Sequence, residues 1–270
     1  MTGRVQSVER SIDILMALST GPHSLTQVAR MTGLSKGTTH RLLATLDHEG
    51  LVLKNTLDNM YMLGPGILRL VRGAARGIGS IALLAEPALT KLRDQTGETV
   101  TLHVSVGVER ICIEEIPSLE PVRYSAPVGS RAPLHVGSAG KVLLAFEDPE
   151  ELERALTMLP LDALTPDTIT DPQSLREELA MVRQNGWASS HGERVPDAAA
   201  VSVPVFSNGR IVASLSLLGP ASRLTDEVRI RQLPDLRKAA AAFETVLAKA
   251  AVATTGNEGT SQRVQSGAAG

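Results

Sequence analysis

The stretch Ser24–Leu63, SLTQVARMTGLSKGTTHRLLATLDHEGLVLKNTLDNMYML, decides how the first part of the chain folds. Ser24 is a good N-cap, and over Leu25–Met31 the residues Leu25, Val28 and Ala29 fall on one helical face. Gly33 ends that helix, because glycine takes a left-handed C′ conformation without steric cost. Leu34 turns the chain inward, and Ser35 caps a second helix running to about Glu49. Thr39, Leu42, Leu43 and Leu46 form its buried stripe, which leaves Lys36, Gly37, Thr38, His40, Arg41 and Ala44 outside. Gly50 closes the helix, and Leu51–Lys54 with Met60–Leu63 predict two strands around the turn Leu57-Asp58-Asn59. Upstream, Val8, Ile12, Leu15, Met16 and Leu18 form an apolar stripe that predicts a helix completing a three-helix core. Two short helices joined by a glycine turn and followed by a hairpin make a winged helix-turn-helix. Its second helix enters a DNA major groove.

A purely structural αα-hairpin gives the same spacing. What separates the two readings is the first turns of the second helix. They carry Ser35, Lys36, Thr38, Thr39, His40 and Arg41, groups that donate to phosphates and base edges, with no acid before Asp47. These six are the candidate DNA-binding residues, Thr39 belonging also to the buried stripe. Charge agrees. The chain totals −2, but residues 1–76 hold nine Lys/Arg against five acids, a balance of +4 that leaves −6 for the rest. A basic unit on an acidic body suits a DNA-reading module joined to something else.

The remainder reads as a second domain. At 270 residues the chain is one large or two modest domains, and with 43% hydrophobic but only 2% aromatic residues its core rests on Leu, Val, Ile and Ala. Gly64-Pro65-Gly66 leads into a helix over Ile67–Arg76, Gly77-Ile78-Gly79 breaks it, and Ser80 caps a helix from Ile81 to Thr96 that Pro87 should bend. Strands are predicted at Thr99–Val106, Glu109–Ile116, Val122–Ala126, Trp187–His191, Val201–Phe206 and Ile211–Leu218, the last two joined at Asn208-Gly209. Helices are predicted from Ser138 to Phe146, at Pro149–Leu159 and Leu175–Asn185, and from Thr225 toward Ala250. Strands with interspersed helices indicate an α+β fold. The expected divisions are 1–63 for the winged helix-turn-helix, 64–80 for a linker helix, 81–252 for the second domain and 253–270 for a disordered, Gly/Ser/Thr-rich tail. Cys112 is the only cysteine, so neither a disulfide framework nor a thiolate metal site is expected. Met1 leads into a polar start and no apolar run approaches a membrane span, so a cytoplasmic protein is expected.

Most enzymatic chemistry fails on spacing. The run Gly137–Lys141, GSAGK, suggests a phosphate loop, but His135 stands where the first glycine belongs and Val142 where Ser or Thr should hold magnesium. What survives is a helix start at Ser138 whose backbone N–H groups favour an anion. There is no Gly-x-Ser-x-Gly elbow for a hydrolase, and the six histidines show no ligand-pair spacing apart from His40 and His48 on the reading helix. His103, on a strand, and His135, beside the helix start, are placed to hydrogen-bond a carboxylate. No metal or cofactor is expected.

The run GLSKGTTHRLLATLDHEGLV, preceded by RSIDIL and followed by YMLGPGILRL, resembles the IclR family of bacterial transcriptional regulators. Two collinear blocks extend the resemblance over roughly residues 5–250: PLHVGSAGKVLLA at Pro133–Ala145, and a segment from Glu177 to Pro220 that contains VRQNGWASSHGE and AVSVPVFSNGRIVASLSLLGP. The resemblance implies a GAF-like effector-binding domain and a linker helix that pairs with its counterpart in a second subunit. It places Ser138 and Ala139 in the effector pocket, with Ser216 and, two residues on, Leu218. Ser189 and Ser190 stand where relatives carry an acid just before the Gly192-Glu193 pair, and Ala199 and Ala200 where relatives often have Cys, so the pocket should be plainer. The candidate effector-binding set is therefore Ser138, Ala139, Ser190, Ser216 and Leu218 with His103 and His135. The expected function is a ligand-responsive regulator that binds a double-stranded operator as a dimer or tetramer and senses a small, partly apolar carboxylate. The alternative is a small-molecule-metabolising enzyme with an accessory DNA-binding module. A protein that uses the hairpin for protein contacts is a third reading.

Overall fold

The structure, a computed structural model, describes the backbone of residues 4–74 and 78–265 and the side chains of residues 4–74 and 79–250. Two compact units divide the chain, Met1–Gly79 and Ser80–Gly270.

In the first unit, α1 (Gln6–Leu18), α2 (Leu25–Thr32) and α3 (Lys36–His48) are followed by the hairpin β2 (Val52–Lys54) and β3 (Met60–Leu63), then α4 (Gly66–Ala74). The termini form as their residues dictate. Ser24 and Gln27 make a reciprocal capping box at α2, Gly33 adopts φ +67 at its end, and the Ser35 hydroxyl accepts from the Thr38 N–H at 3.2 Å to start α3. Ile14, Leu18, Val28, Leu43, Leu46, Val52 and Tyr61 fill the core.

Two features depart from the sequence reading. A two-residue strand, β1 (His23–Ser24), pairs with β3 and makes the wing three-stranded; so short a strand has no periodicity to read. The expected stripe on α1 is split: Leu18 is buried and Leu15 packs against the core, while the rest of it faces outward. Ile14, Ala17 and Leu18 are the buried residues, whereas Val8, Ile12 and Met16 are 54%, 52% and 66% exposed. Two residues along a helix is roughly 200° around it, so the helix carries two apolar stripes and only one enters the core. The expected helix end at Arg76 and the break at Gly77 lie outside the described residues.

Helix α5 (Ile78–Thr96) lies in the second unit from Ser80 on, and that unit continues through β4 (Thr99–Val106), β5 (Glu109–Ile116), β6 (Arg131–Pro133), α6 (Gly137–Ala145), α7 (Pro149–Met158) and α8 (Pro172–Asn185). It closes with β7 (Ala188–His191), β8 (Ala198–Ser207), β9 (Arg210–Pro220) and α9 (Asp226–Gln265). Six strands form one antiparallel sheet in the order β6-β5-β4-β9-β8-β7. Val122–Ala126 is not a strand: Pro121 and Pro127 bracket it and leave too few backbone donors for a ladder, and the third short strand is Arg131–Pro133 instead. The backbone of α9 continues to Gln265, where a tail was expected from 253 on; residues 266–270 lie outside the described residues. No helix among the described residues is long and apolar enough to cross a membrane.

Strand alternation sorts this unit into layers. Val100, Leu102 and Val104 of β4, Val201, Val203 and Val205 of β8, and Ala213, Leu215 and Leu217 of β9 pack against Leu89 and Leu92 of α5 and Leu236 and Phe243 of α9. The alternate residues of the same strands, Thr101, His103, Ser202, Ser214 and Ser216, are buried and polar. Helix α6, buried over its whole length, contacts β8, β9 and β4. Gly140 permits this, since a Cβ there would overlap the Leu134 carbonyl oxygen.

Candidate functional site

The surface of α3 carries one candidate site. Lys36, His40 and Arg41 are exposed and Thr38 half-buried, and no acid occupies the first turn. Ser35 and Thr38 are tied into the cap, the Ser35 hydroxyl donating to Thr38 Oγ1 at 3.0 Å. Thr39 cannot reach a groove. It is fully buried and its hydroxyl donates to the Ser35 carbonyl at 2.9 Å, so the stripe wins over the exposed set. Beside Arg41, the start of α1 contributes Gln6, Ser7 and Arg10 to a shallow groove that also includes Thr38 and Thr45. Those three α1 residues were not in the sequence-derived set, because spacing within α3 says nothing of what packs beside it.

The second site lies on the polar face of the sheet, under α6. A pocket there holds about 580 Å³ of empty space, its open mouth included, and its walls contain Ser138, Ala139, Ser190, Ser216, Leu218 and His103 of the predicted set. Three hydroxyls make a buried row: Ser138 Oγ lies 2.7 Å from Ser202 Oγ, which lies 2.7 Å from Ser216 Oγ. Thr101 pairs with Ser216 across the strands and adds a further hydroxyl. His135 does not belong. It is fully buried away from the pocket, with Nε2 3.1 Å from the Asp162 carbonyl oxygen.

The helix start differs from expectation. Ser138 is inside α6 and its side chain turns to Ser202; the N-cap position is Val136, which supplies no side-chain cap. Gly137, at φ +80, donates its N–H to Glu193 Oε2 at 2.8 Å. The other oxygen of Glu193 accepts from Lys141 Nζ at 2.8 Å, and Lys141 also donates to Glu178 at 2.8 Å. The anion at this helix start is thus the protein's own carboxylate, and the lysine of the GSAGK run is consumed in a buried ion pair. That disposes of the phosphate-loop reading.

Cationic character comes from residues that the sequence reading missed. Arg110, on β5, is 7% exposed and lines the pocket; its Nε donates to the Val136 carbonyl at 3.3 Å, and no carboxylate among the described residues pairs with it. Burial first, and then the nearby Arg194, pull its pKa down to about 10 against the opposing pull of Glu193 in the same wall, which leaves it charged at neutral pH. Arg194 joins the wall from the loop after β7. His103 is 3% exposed and neither ring nitrogen has a partner. Burial, then Arg110 and Arg194, hold it well below its ordinary value of 6.5, so it is neutral. Over the rim, the Tyr124 hydroxyl donates to the Pro196 carbonyl at 2.9 Å and joins two loops. A signal for Arg110 existed: in ERICIEEI it is a lone arginine inside a buried, alternating strand. Among the described residues no group of three or more His, Cys, Asp or Glu could hold a metal ion.

Known proteins fit both sites. Residues 7–56 match the profile described as the IclR helix-turn-helix domain, and residues 78–245 that described as the bacterial transcriptional regulator IclR C-terminal. The HTH-type transcriptional regulator BhcR of Paracoccus denitrificans is 32% identical over 228 residues, 83% of this chain and 81% of that protein. The transcriptional repressor IclR of Escherichia coli is 32% identical over 231 residues, 84% of each. Among solved structures, Thermotoga maritima IclR superposes with a TM-score of 0.69 at 26% identity, covering 90% of this chain and 98% of that one. An IclR homolog from Microbacterium hydrocarbonoxydans complexed with 4-hydroxybenzoate gives 0.64 at 28% identity, covering 90% and 99%. The relatives are named as regulators and repressors, not enzymes. With a helix-turn-helix in one unit and an effector-type pocket in the other, both collinear with these proteins, the chain belongs to the IclR family of bacterial transcriptional regulators.

Proposed function

We propose that this regulator reads an operator with α3 and adjusts its affinity to a small organic acid held on the polar face of the sheet. Arg110 carries the reading. A buried guanidinium without a carboxylate partner, facing a pocket, is costly until an anion joins it. Ala139 and Leu218 give the acid an apolar wall, and Ser216 a hydroxyl for a second polar group. The 4-hydroxybenzoate bound by the Microbacterium hydrocarbonoxydans homolog is a carboxylate of this kind.

On DNA, Lys36, His40 and Arg41 reach the groove while Ser35, Thr38 and Arg10 meet the backbone. The protein acts in the cytoplasm and at least as a dimer, since two half-sites need a two-fold reader. Exposed apolar faces supply the pairing surface: Val5, Val8, Ile12 and Met16 on and beside α1, and Leu68, Leu70 and Val71 on α4. A ligand moves such a switch only by its differential affinity for the DNA-competent and DNA-incompetent states. A thermal-shift screen of small carboxylic acids finds the ligand, and operator titrations then test Ala139→Leu, which fills the space beside α6. The variant should keep operator binding and lose the response to acid. An undiminished response would place the pocket elsewhere.

A further inference from the structure

Beyond its carboxylate, the ligand is constrained by the hydrogen-bonding groups left open in the pocket; this step rests on the acid-sensing reading above and deepens it. The cluster of Arg110, Arg194, Lys141, Glu193 and Glu178 holds three cations and two carboxylates, with Lys141 shared between the two acids. One positive charge remains, so a single carboxylate on Arg110 answers it and the rest of the ligand is neutral. Two open features lie farther along the sheet. His103 is 3% exposed, lines the cavity and has neither ring nitrogen partnered. Ser214, opposite it across β4 and β9, does not reach the ring. Burial beside Arg110 and Arg194 keeps the imidazole neutral, and a neutral imidazole presents one N–H donor and one lone-pair acceptor. The serine row is the second feature. Ser138, Ser202 and Ser216 hold three hydroxyl protons for two contacts, so one O–H is left over. With the row running from Ser138 to Ser216, that proton falls to Ser216, which lines the cavity.

Strand register brings these groups into line. Arg110 stands opposite Ser105 on β4, and His103 lies two residues back on the same face. Thr101, two residues further back, stands opposite Ser216 of β9, so His103 and Ser216 are diagonal neighbours within reach of one small group. That group is defined by what it must supply. The His103 lone pair needs a donor, and the leftover Ser216 proton needs an acceptor. A carboxylate or a ketone accepts and does not donate. An ammonium donates, does not accept, and adds a charge that Arg110 and Arg194 repel. A hydroxyl does both. We propose that the pocket selects a hydroxy acid, its carboxylate on Arg110 and its hydroxyl between His103 and Ser216. Aliphatic and phenolic hydroxy acids share this chemistry.

The test is calorimetric titration of the full chain with two sets of probes. One is butanoate with its 2- and 3-hydroxy and 2- and 3-oxo derivatives. The other is benzoate with its 3- and 4-hydroxy and 3- and 4-fluoro derivatives, fluorine having no proton to donate. At least one hydroxy acid should bind at least about tenfold more tightly than its parent and than its oxo or fluoro counterpart, because a site built for a hydroxyl penalises an analogue that lacks it. His103→Leu and Ser216→Ala should each bring the three within about threefold of one another. Should His103→Leu fail to fold, Ser216→Ala and the wild-type comparison decide. A preferred aliphatic acid and a preferred phenol both support the proposal and assign the skeleton. If acids bind and no hydroxy acid outdoes its parent and counterpart, or if the preference survives in a folded variant, the hydroxyl is wrong and the acid-sensing reading stands. If none of these acids binds, that reading fails and takes the hydroxyl with it.

Discussion

Two parts of this chain offer cations to anions, and they do so under opposite conditions. On α3, Lys36 and Arg41 stand in water beside an acid-free helix start. Their charge costs nothing to maintain, acts at a distance and is screened by salt. In the second unit Arg110 stands 7% exposed beside a neutral His103, where charge is expensive, short-ranged and shielded from the solvent's ions. A solvated cation attracts any phosphate backbone, while a desolvated one binds only what fits around it. On the proposed reading the first holds DNA and the second recognises a small molecule.

The sharpest way to break this contrast is ionic strength. Raising salt from low to physiological levels should weaken operator binding by about a hundredfold or more if several phosphates are contacted, and acid binding by only a few-fold. Equal slopes, measured by fluorescence anisotropy for operator and by calorimetry for acid, would erase the distinction. Next in size is Arg41→Ala. An arginine on a guanine edge contributes about 1–3 kcal/mol of discrimination, so operator affinity should fall by that amount with the melting temperature nearly unchanged. Unchanged affinity and salt slope would mean that α3 is not the reader.

A smaller effect follows from His103. Burial, and then Arg110 and Arg194, hold its folded-state pKa well below the ordinary 6.5. As pH falls below about 6.5, the unfolded chain takes up the proton first, so stability is full above that value and declines beneath it. The slope is at most about 1.4 kcal/mol per pH unit and levels off once the folded-state pKa is reached. Denaturant unfolding between neutral and mildly acid pH should show the decline, and His103→Gln should flatten it. A slope that survives in the variant belongs to another group.

The same contrast explains what the sequence made legible. The α3 surface is local: Ser35, Lys36, His40 and Arg41 are neighbours in the chain, and helical period alone separates them from Leu43 and Leu46. Caps at Ser24, Gly33 and Ser35 are local too, and each forms as its residue type demands. Thr39 was misplaced only because it met both criteria, and burial decides. The pocket is assembled from β4, β5, α6, β7, β8, β9, the loop after β7 and the segment Tyr124–Ala126, residues far apart in the chain. Ser138 was visible as a helix start, while Ala139, Ser190, Ser216 and Leu218 were reached through resemblance. Arg110 and Arg194 stand outside the family blocks' quoted pocket positions and became visible only when the sheet brought them together. His135 shows the converse, since standing beside the α6 start in sequence did not put it in the cavity. On α1, an apolar stripe was visible but its partner was not: period gives a face, and only packing says which of two faces the core takes.

The central claim is that the buried cation on the sheet is the element through which an acid controls DNA binding. It is tested most directly by titrating operator affinity against the best-binding acid for wild type and Arg110→Gln. The replacement removes a desolvated, unpaired charge, so folding stability should hold and operator affinity without acid should match wild type. Acid should then shift operator affinity in wild type and leave the variant unmoved at concentrations about tenfold higher, the effect of losing one charge-assisted contact. A variant that responds to acid at the wild-type concentration would contradict the account.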